Sequence, residues 1–104
     1  MYYFPHERLD CYRIATEVAE WLDKQRFPQG RPNLKDQAVR ASDSMVLNIA
    51  EGSSHSGKTR KYHFRIATGS SAELCACLDL LDFKGKADQQ EKLRRIGAML
   101  ANMA

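Results

Sequence analysis

Apolar residues recur at three- and four-residue steps along most of this chain, which is the spacing of one face of an α-helix. The first such segment covers about residues 6–26 and ends at Phe27-Pro28, because the residue before a proline avoids the α region. Its regularly spaced apolar positions are Leu9, Tyr12, Ala15, Ala19 and Leu22. A second apolar row lies beside them, so the pattern predicts a helix with a wide buried face.

Three further segments repeat this helical spacing. They cover about residues 33–52, 58–84 and 88–103. Asn33 is the expected N-cap of the second helix, because its side chain can accept a hydrogen bond from the first turn. Gly52 and Gly85 are expected to end the second and third helices, since glycine is the preferred residue just past a helix C-terminus.

Strand patterns, in which apolar and polar residues alternate, are rare in this chain. We therefore predict an all-α fold, an antiparallel up-down four-helix bundle that forms one domain over residues 1–104. The apolar share of 43% and the charged share of 28% are ordinary for a globular domain. No apolar run approaches a membrane span, and the N-terminus lacks the apolar centre of a signal peptide, so we expect a cytoplasmic protein.

The third predicted helix carries two apolar rows. One row is Tyr62, Ile66, Gly69, Glu73, Cys77 and Leu80, and the other is Phe64, Ala67, Ser71, Leu74, Leu78 and Leu81. A helix in a single-chain bundle needs one apolar arc, so the second row predicts that a neighbouring subunit covers it. Gly69 in the middle of the helix costs about 1 kcal/mol relative to alanine, which predicts a close approach of another helix there, either within the bundle or between subunits.

The positive charge of the chain is concentrated in one stretch. The formal net charge is +3, and residues 52–72 contain four basic residues and no acid. Lys58, Lys61 and Arg65 fall on one helix face, with Arg60 and His63 beside them. A field of this sign attracts phosphate polyanions, so these five residues are candidate nucleic-acid contacts. The alternative is a solvated helix face without a ligand.

The aromatic residues within this stretch leave two interpretations open. Tyr62 and His63 could stack on single-stranded bases if they were exposed. Aromatic residues in helices are more often part of the core.

Residues Gly52 to Thr59 read G-S-S-H-S-G-K-T, which matches the phosphate-binding P-loop pattern. A P-loop requires a buried β-strand immediately before it, but the preceding residues continue the helical row of the second segment. A Walker-B aspartate after an apolar strand is also lacking, because Asp79 ends an alanine- and leucine-rich helix. Nucleotide binding at Gly52–Thr59 is therefore a remote alternative, and a Gly/Ser turn between two helices is the favoured interpretation.

One set of motifs resembles the family of proteins encoded in intervening sequences of bacterial 23S ribosomal RNA genes. The matching positions are Phe27-Pro28, Gln37, Arg40, Ala41, Ser44, Asn48-Ile49-Ala50-Glu51-Gly52, Ile66-Ala67, Gly69-Ser70 and Glu73. The accessory protein of diversity-generating retroelements looks like a relative. The resemblance covers about residues 4–85 and implies an up-down bundle that assembles into a homopentamer and has no known enzymatic activity. For some members of the family, RNA or DNA binding is suggested.

Five polar residues occupy positions that the helical pattern turns inward. They are Arg40, Asn48, Glu51, Ser70 and Glu73. A carboxylate metal site is one interpretation, but a di-iron bundle needs Glu-x-x-His motifs, which this chain lacks. We favour a structural polar core in which these groups bond across the helices, with Arg40 as a partner for a buried carboxylate.

Cys11, Cys75 and Cys77 are expected to be reduced and to serve as small apolar side chains rather than metal ligands. We expect no metal and no cofactor.

The sequence therefore predicts a non-enzymatic, homo-oligomeric protein that binds RNA or DNA through a basic surface. The alternative is an oligomeric adaptor or scaffold for another protein, for example a reverse transcriptase.

Overall fold

The computed structural model describes residues 1–103, and these residues contain helices and no strand. A short 3₁₀ helix, Pro5–Arg8, precedes four α-helices. The four are α1, Asp10–Asp23; α2, Pro32–Ser53; α3, Gly57–Asp79; and α4, Lys86–Met103. The prediction of an all-α chain with four helices is confirmed.

The start of α1 and the start of α2 differ from the sequence prediction. Leu9 is extended (φ −86°, ψ 129°) and separates the 3₁₀ helix from α1, so one predicted helix is divided in two. In α2, Pro32 takes the first helical position and Arg31 is the N-cap, so the assignment of Asn33 as N-cap is wrong. Proline is favoured at that position because its fixed φ suits a helix and its missing N–H has no partner to lose.

Neither glycine expected to end a helix does so. Gly52 is buried within α2, which continues to Ser53. α3 ends at Asp79, and Gly85 (φ 87°) lies in the turn immediately before α4. The chain leaves the helix early because Phe83 turns back to meet Trp21 and Phe27, with ring centroids 5.9 and 5.1 Å away.

Each α-helix packs against two others: α1 against α2 and α4, and α3 against α2 and α4. The α2–α3 contact is the most extensive. The core contains the Phe64 row of α3, in which Phe64 is 2% and Leu81 3% exposed. The prediction that a neighbouring subunit must cover this row is therefore wrong, because the single chain buries it.

Part of the other predicted row lies on the outer face of α3, although Cys77 of that row is buried. Tyr62 is 61% and Leu80 60% exposed, and Gly69 is also exposed. A Cβ added at Gly69 would meet no atom within 4 Å, so no helix of this chain approaches it closely. Within residues 1–103, no helix combines the length and the apolar character that crossing a membrane requires.

Candidate nucleic-acid interface

The candidate site begins at the turn that joins α2 to α3. Ser54 is the C-cap of α2, and its hydroxyl donates to the carbonyl of Glu51 at 2.8 Å. Ser56 is extended and α3 starts at Gly57, whose φ of +61° is a conformation that side-chain-bearing residues seldom adopt. The chain therefore reverses within three residues and presents the first turn of α3 to solvent.

This geometry removes the structural premise of the P-loop interpretation. The Gly52–Thr59 pattern follows helix α2 instead of a β-strand, and its first two residues belong to that helix. A P-loop cradle needs free backbone N–H groups in a loop that follows a strand. The match to the nucleotide-binding pattern is a coincidence of composition in a helix–helix turn.

Three of the predicted nucleic-acid contacts form an open basic face, which we define as Lys58, Lys61 and Arg65 of α3. All three are exposed. No ion pair within residues 1–103 involves any of them. Their charges are consequently available to a ligand rather than neutralised by neighbouring carboxylates.

Arg60 does not belong to this open face. It is half-buried, its guanidinium lies 5.1 Å from the centroid of the Phe64 ring, and its Nη1 donates to the carbonyl of His55 at 3.5 Å. Arg60 therefore braces the α2–α3 turn. The spacing of four residues between Arg60 and Phe64 is the signal in the sequence that could have indicated this contact.

A polar network joins α2 to α3 beside the basic face. The amide nitrogen of Asn48 donates to the carbonyl and the hydroxyl of Ser44, at 2.9 and 3.2 Å. Nδ1 of His63 lies 2.8 Å from Oδ1 of Asn48 and donates to it, because an amide oxygen can only accept. Ser70 closes the network with a 2.8 Å bond from its hydroxyl to that of Ser44.

Two of the five residues expected in a polar core, Asn48 and Ser70, lie in this network. His63, predicted to be a nucleic-acid contact, lies half-buried against α2. Ser44 belongs to the family motif, but no role in a polar network was predicted for it. Its spacing of four residues from Asn48 is the signal that links them.

Arg40, Glu51 and Glu73 are exposed, so their expected inward position is wrong. Glu51 instead pairs with His55 on the surface, with Oε2 and Nε2 3.0 Å apart. Arg40 forms no ion pair in the described part of the chain. Among residues 1–103 no carboxylate is buried, so Arg40 has none to neutralise.

The aromatic side chains near the turn form a short chain of contacts. The rings of His55 and His63 stack at 5.9 Å with 15° between their planes. Tyr62 meets His63 edge to face at 5.1 Å and 78°. The interpretation that both Tyr62 and His63 belong to the core is therefore wrong for Tyr62, which lies among the basic residues on the surface.

A groove between α3 and α4 borders the basic face. Its volume is about 410 Å³. It is lined by Lys61, Phe64, Arg65, Thr68, Leu100 and Ala101. Two members of the basic face thus stand at the rim of a depression whose floor is apolar.

The cysteines carry no site of their own. Cys11 and Cys77 are buried free thiols, and Cys75 is half-buried. Burial raises the pKa of Cys11 and, together with the carboxylate of Glu73, that of Cys77. Among residues 1–103, no cluster of three or more His, Cys, Asp or Glu side chains is placed to hold a metal ion.

Comparison with known families is informative over nearly the whole chain. The model of the family described as 23S rRNA-intervening sequence protein matches residues 7–102. No curated protein matches the chain significantly.

Proposed function

The chain belongs to the 23S rRNA-intervening sequence protein family, and we propose that it is a non-enzymatic, homo-oligomeric cytoplasmic protein that binds nucleic acid through its basic face. The observation that supports this proposal most directly is the open arrangement of Lys58, Lys61 and Arg65, which pair with no carboxylate in the described part of the chain. Cations that pair with no carboxylate keep their field in solvent, where phosphates can approach.

The local charge balance strengthens this proposal. No acidic residue occurs between Gly52 and Ala72, so the turn and the first half of α3 form a continuous positive segment. Binding of phosphates to such a segment releases counterions and gains affinity without reading sequence. RNA and DNA therefore both fit the basic face.

We further propose that the helices run antiparallel in up-down order and that the protein assembles as a homopentamer, which the family resemblance implies. Leu47 is 65% and Leu80 60% exposed, and large aliphatic side chains of this kind suit a contact between copies. Five copies would multiply the charge of +4 on residues 52–72 to +20, which increases attraction for a polyanion.

The experiment is a charge reversal, Lys58→Glu, Lys61→Glu and Arg65→Glu together, with affinity for labelled RNA and DNA followed by fluorescence anisotropy over a salt series. We expect the variant to lose nearly all binding. A milder triple change to Gln should weaken binding and flatten the dependence of affinity on salt, because fewer counterions are released.

A matched control reverses three exposed basic residues elsewhere, Lys24, Arg26 and Lys35. Lys35 lies near the start of α2, and the other end of this helix leads into the turn before the basic face. Because the 22 residues of α2 span about 33 Å, Lys35 is far from the basic face. Circular dichroism verifies that each variant folds. If the two reversals had equal effects, general charge rather than the basic face would cause binding.

An oligomeric adaptor for another protein, such as a reverse transcriptase, is the second candidate function. The favouring observation is the exposed aromatic N-terminus, where Tyr2 and Phe4 meet edge to face at 5.2 Å and Phe4 stands beside Leu47 in a surface depression. Co-purification of a partner that withstands nuclease and high salt, and that is lost in a Phe4→Ala, Leu47→Ala variant, would support this candidate.

A further inference from the structure

Tyr62 is the one exposed aromatic residue on the described part of α3, and it lies within the basic face. Lys58 precedes it by four residues and Arg65 follows it by three, so both lie one helical turn away on the same side. A ring at this position has a cation on either side. Its solvent-exposed surface has no packing role in the single chain, because 61% of the residue is accessible.

The ring is braced from the protein side. Tyr62 meets His63 edge to face, His63 donates to Asn48, and Asn48 is itself held by Ser44. This series of contacts connects an exposed aromatic residue to the α2–α3 interface. A ring that is held before it binds loses less rotational freedom on stacking against a ligand.

The surface around Tyr62 is open along the helix. Gly69, two turns further along the outer face of α3, has no atom within 4 Å of the position that a Cβ would take. Between the turn and Ala72, α3 itself carries no acidic side chain that would repel a phosphate. A strand of nucleic acid could therefore follow this face of α3 past Tyr62.

We propose that Tyr62 is a base-stacking residue and that the ligand of the basic face is single-stranded nucleic acid. This inference rests on the proposed function and names its substrate class. In a duplex the faces of the bases are covered by their neighbours, so a ring on a helix surface can stack only on an unpaired base. Lys58 and Arg65 hold the phosphates on either side of the stacked base.

The test compares a labelled single strand of about 16 nucleotides, the upper end of common single-strand site sizes, with a duplex of the same length. Tyr62→Ala should weaken single-strand binding by about 5- to 150-fold, the loss typical of one stacked base, and change duplex binding little. Tyr62→Phe keeps the ring and should bind as the wild-type protein does. The dependence of affinity on salt should be equal in the wild-type protein, Tyr62→Ala and Tyr62→Phe, because no charge is removed.

The outcomes separate this inference from the proposed function. Tighter binding of the duplex, or full single-strand affinity in Tyr62→Ala, would overturn the stacking role and leave the basic face intact. A wild-type protein that binds neither nucleic acid would overturn both proposals. Light scattering is measured on each variant as well. A changed oligomeric state in Tyr62→Ala would make the residue a contact between copies and would also overturn the inference.

Discussion

Gly52 and Gly69 are both glycines inside long helices, but their surroundings differ. A Cβ at Gly52 would lie 2.6 Å from two atoms of the buried Phe64 ring, whereas at Gly69 it would meet nothing. Gly52 therefore permits the close contact of α2 with α3. Its place in the Asn-Ile-Ala-Glu-Gly block reflects packing rather than a helix end.

We predict that the same substitution at these two glycines has opposite effects. Overpacking costs about 1–3 kcal/mol and the helix preference of alanine returns about 1 kcal/mol, so Gly52→Ala should lower the free energy of unfolding by up to about 2 kcal/mol. Gly69→Ala should raise it by up to about 1 kcal/mol. Urea unfolding measures both. A Gly52→Ala protein that is more stable than the wild type would contradict the contact with Phe64, and weakened assembly in Gly69→Ala would indicate a close approach between copies.

Cys11 gives the chain a stability that depends on pH. Burial raises the pKa of its thiol above the ordinary value of 9.0, so the folded state favours the protonated form. This contribution is fully present below the unfolded pKa and is lost as pH rises through the folded pKa. The free energy of unfolding should therefore fall as pH rises above about 9, and less steeply in Cys11→Ala. Parallel slopes for the two proteins would contradict this prediction.

At the scale of elements, a small polar network contributes to the pairing of α2 with α3. Removing Asn48 leaves Nδ1 of His63 without its acceptor, and an unpaired polar group at a half-buried position costs about 1–3 kcal/mol. A double-mutant cycle on Asn48→Ala and His63→Ala should give a coupling free energy of about 0.5–3 kcal/mol.

The control cycle uses Glu51 and His55, a pair at nearly the same contact distance but with side chains 52% and 43% exposed. Exposed ion pairs contribute at most about 1 kcal/mol, so the coupling in this cycle should be the smaller one. Equal couplings in the two cycles would mean that the Asn48–His63 bond does not hold the helices together.

The helices themselves could be predicted from the sequence, because apolar periodicity survives small errors in boundaries. The inward polar residues could be predicted only in part. Glu51 follows Asn48 by three residues and Glu73 follows Ser70 by three, which leaves each carboxylate about 60° short of a full turn around its helix. That rotation moves a side chain from the edge of the core into solvent. A sequence pattern with positions three and four residues apart cannot distinguish directions that differ by about 60° around the helix.

The helix ends were harder to predict because tertiary contacts decide them. Glycine is a common residue at a helix end, which made Gly85 the expected stop. The helix ends at Asp79 instead, because Phe83 leaves the helix to contact Trp21 and Phe27. Local propensity contributes about 1 kcal/mol at such a position, and burying an aromatic side chain contributes more. A single sequence does not show which distant rings will meet.

At the scale of the whole molecule, the core is completed by one chain. The Phe64 row, which was predicted to need cover from a neighbouring subunit, packs inside the single chain. The apolar residues left on the surface include Leu47 and Leu80. Two apolar rows on one helix cannot reveal from sequence alone which of them faces the other helices. We therefore expect oligomerisation to join subunits that are already folded, so that dilution separates the copies without loss of helical circular dichroism.

The neighbouring residues Leu80 and Leu81 provide the sharpest test of whether subunits fold before they assemble, since they are 60% and 3% exposed. Leu81→Ala removes a buried side chain and should lower the free energy of unfolding by about 2–5 kcal/mol. Leu80→Ala should change the stability of the dilute subunit by less than about 0.5 kcal/mol and weaken assembly if this face joins copies. Fluorescence of the single tryptophan, Trp21, reports unfolding because its ring meets Phe83, and light scattering reports assembly. Equal losses of stability in both variants would mean that contacts between copies hold the fold together.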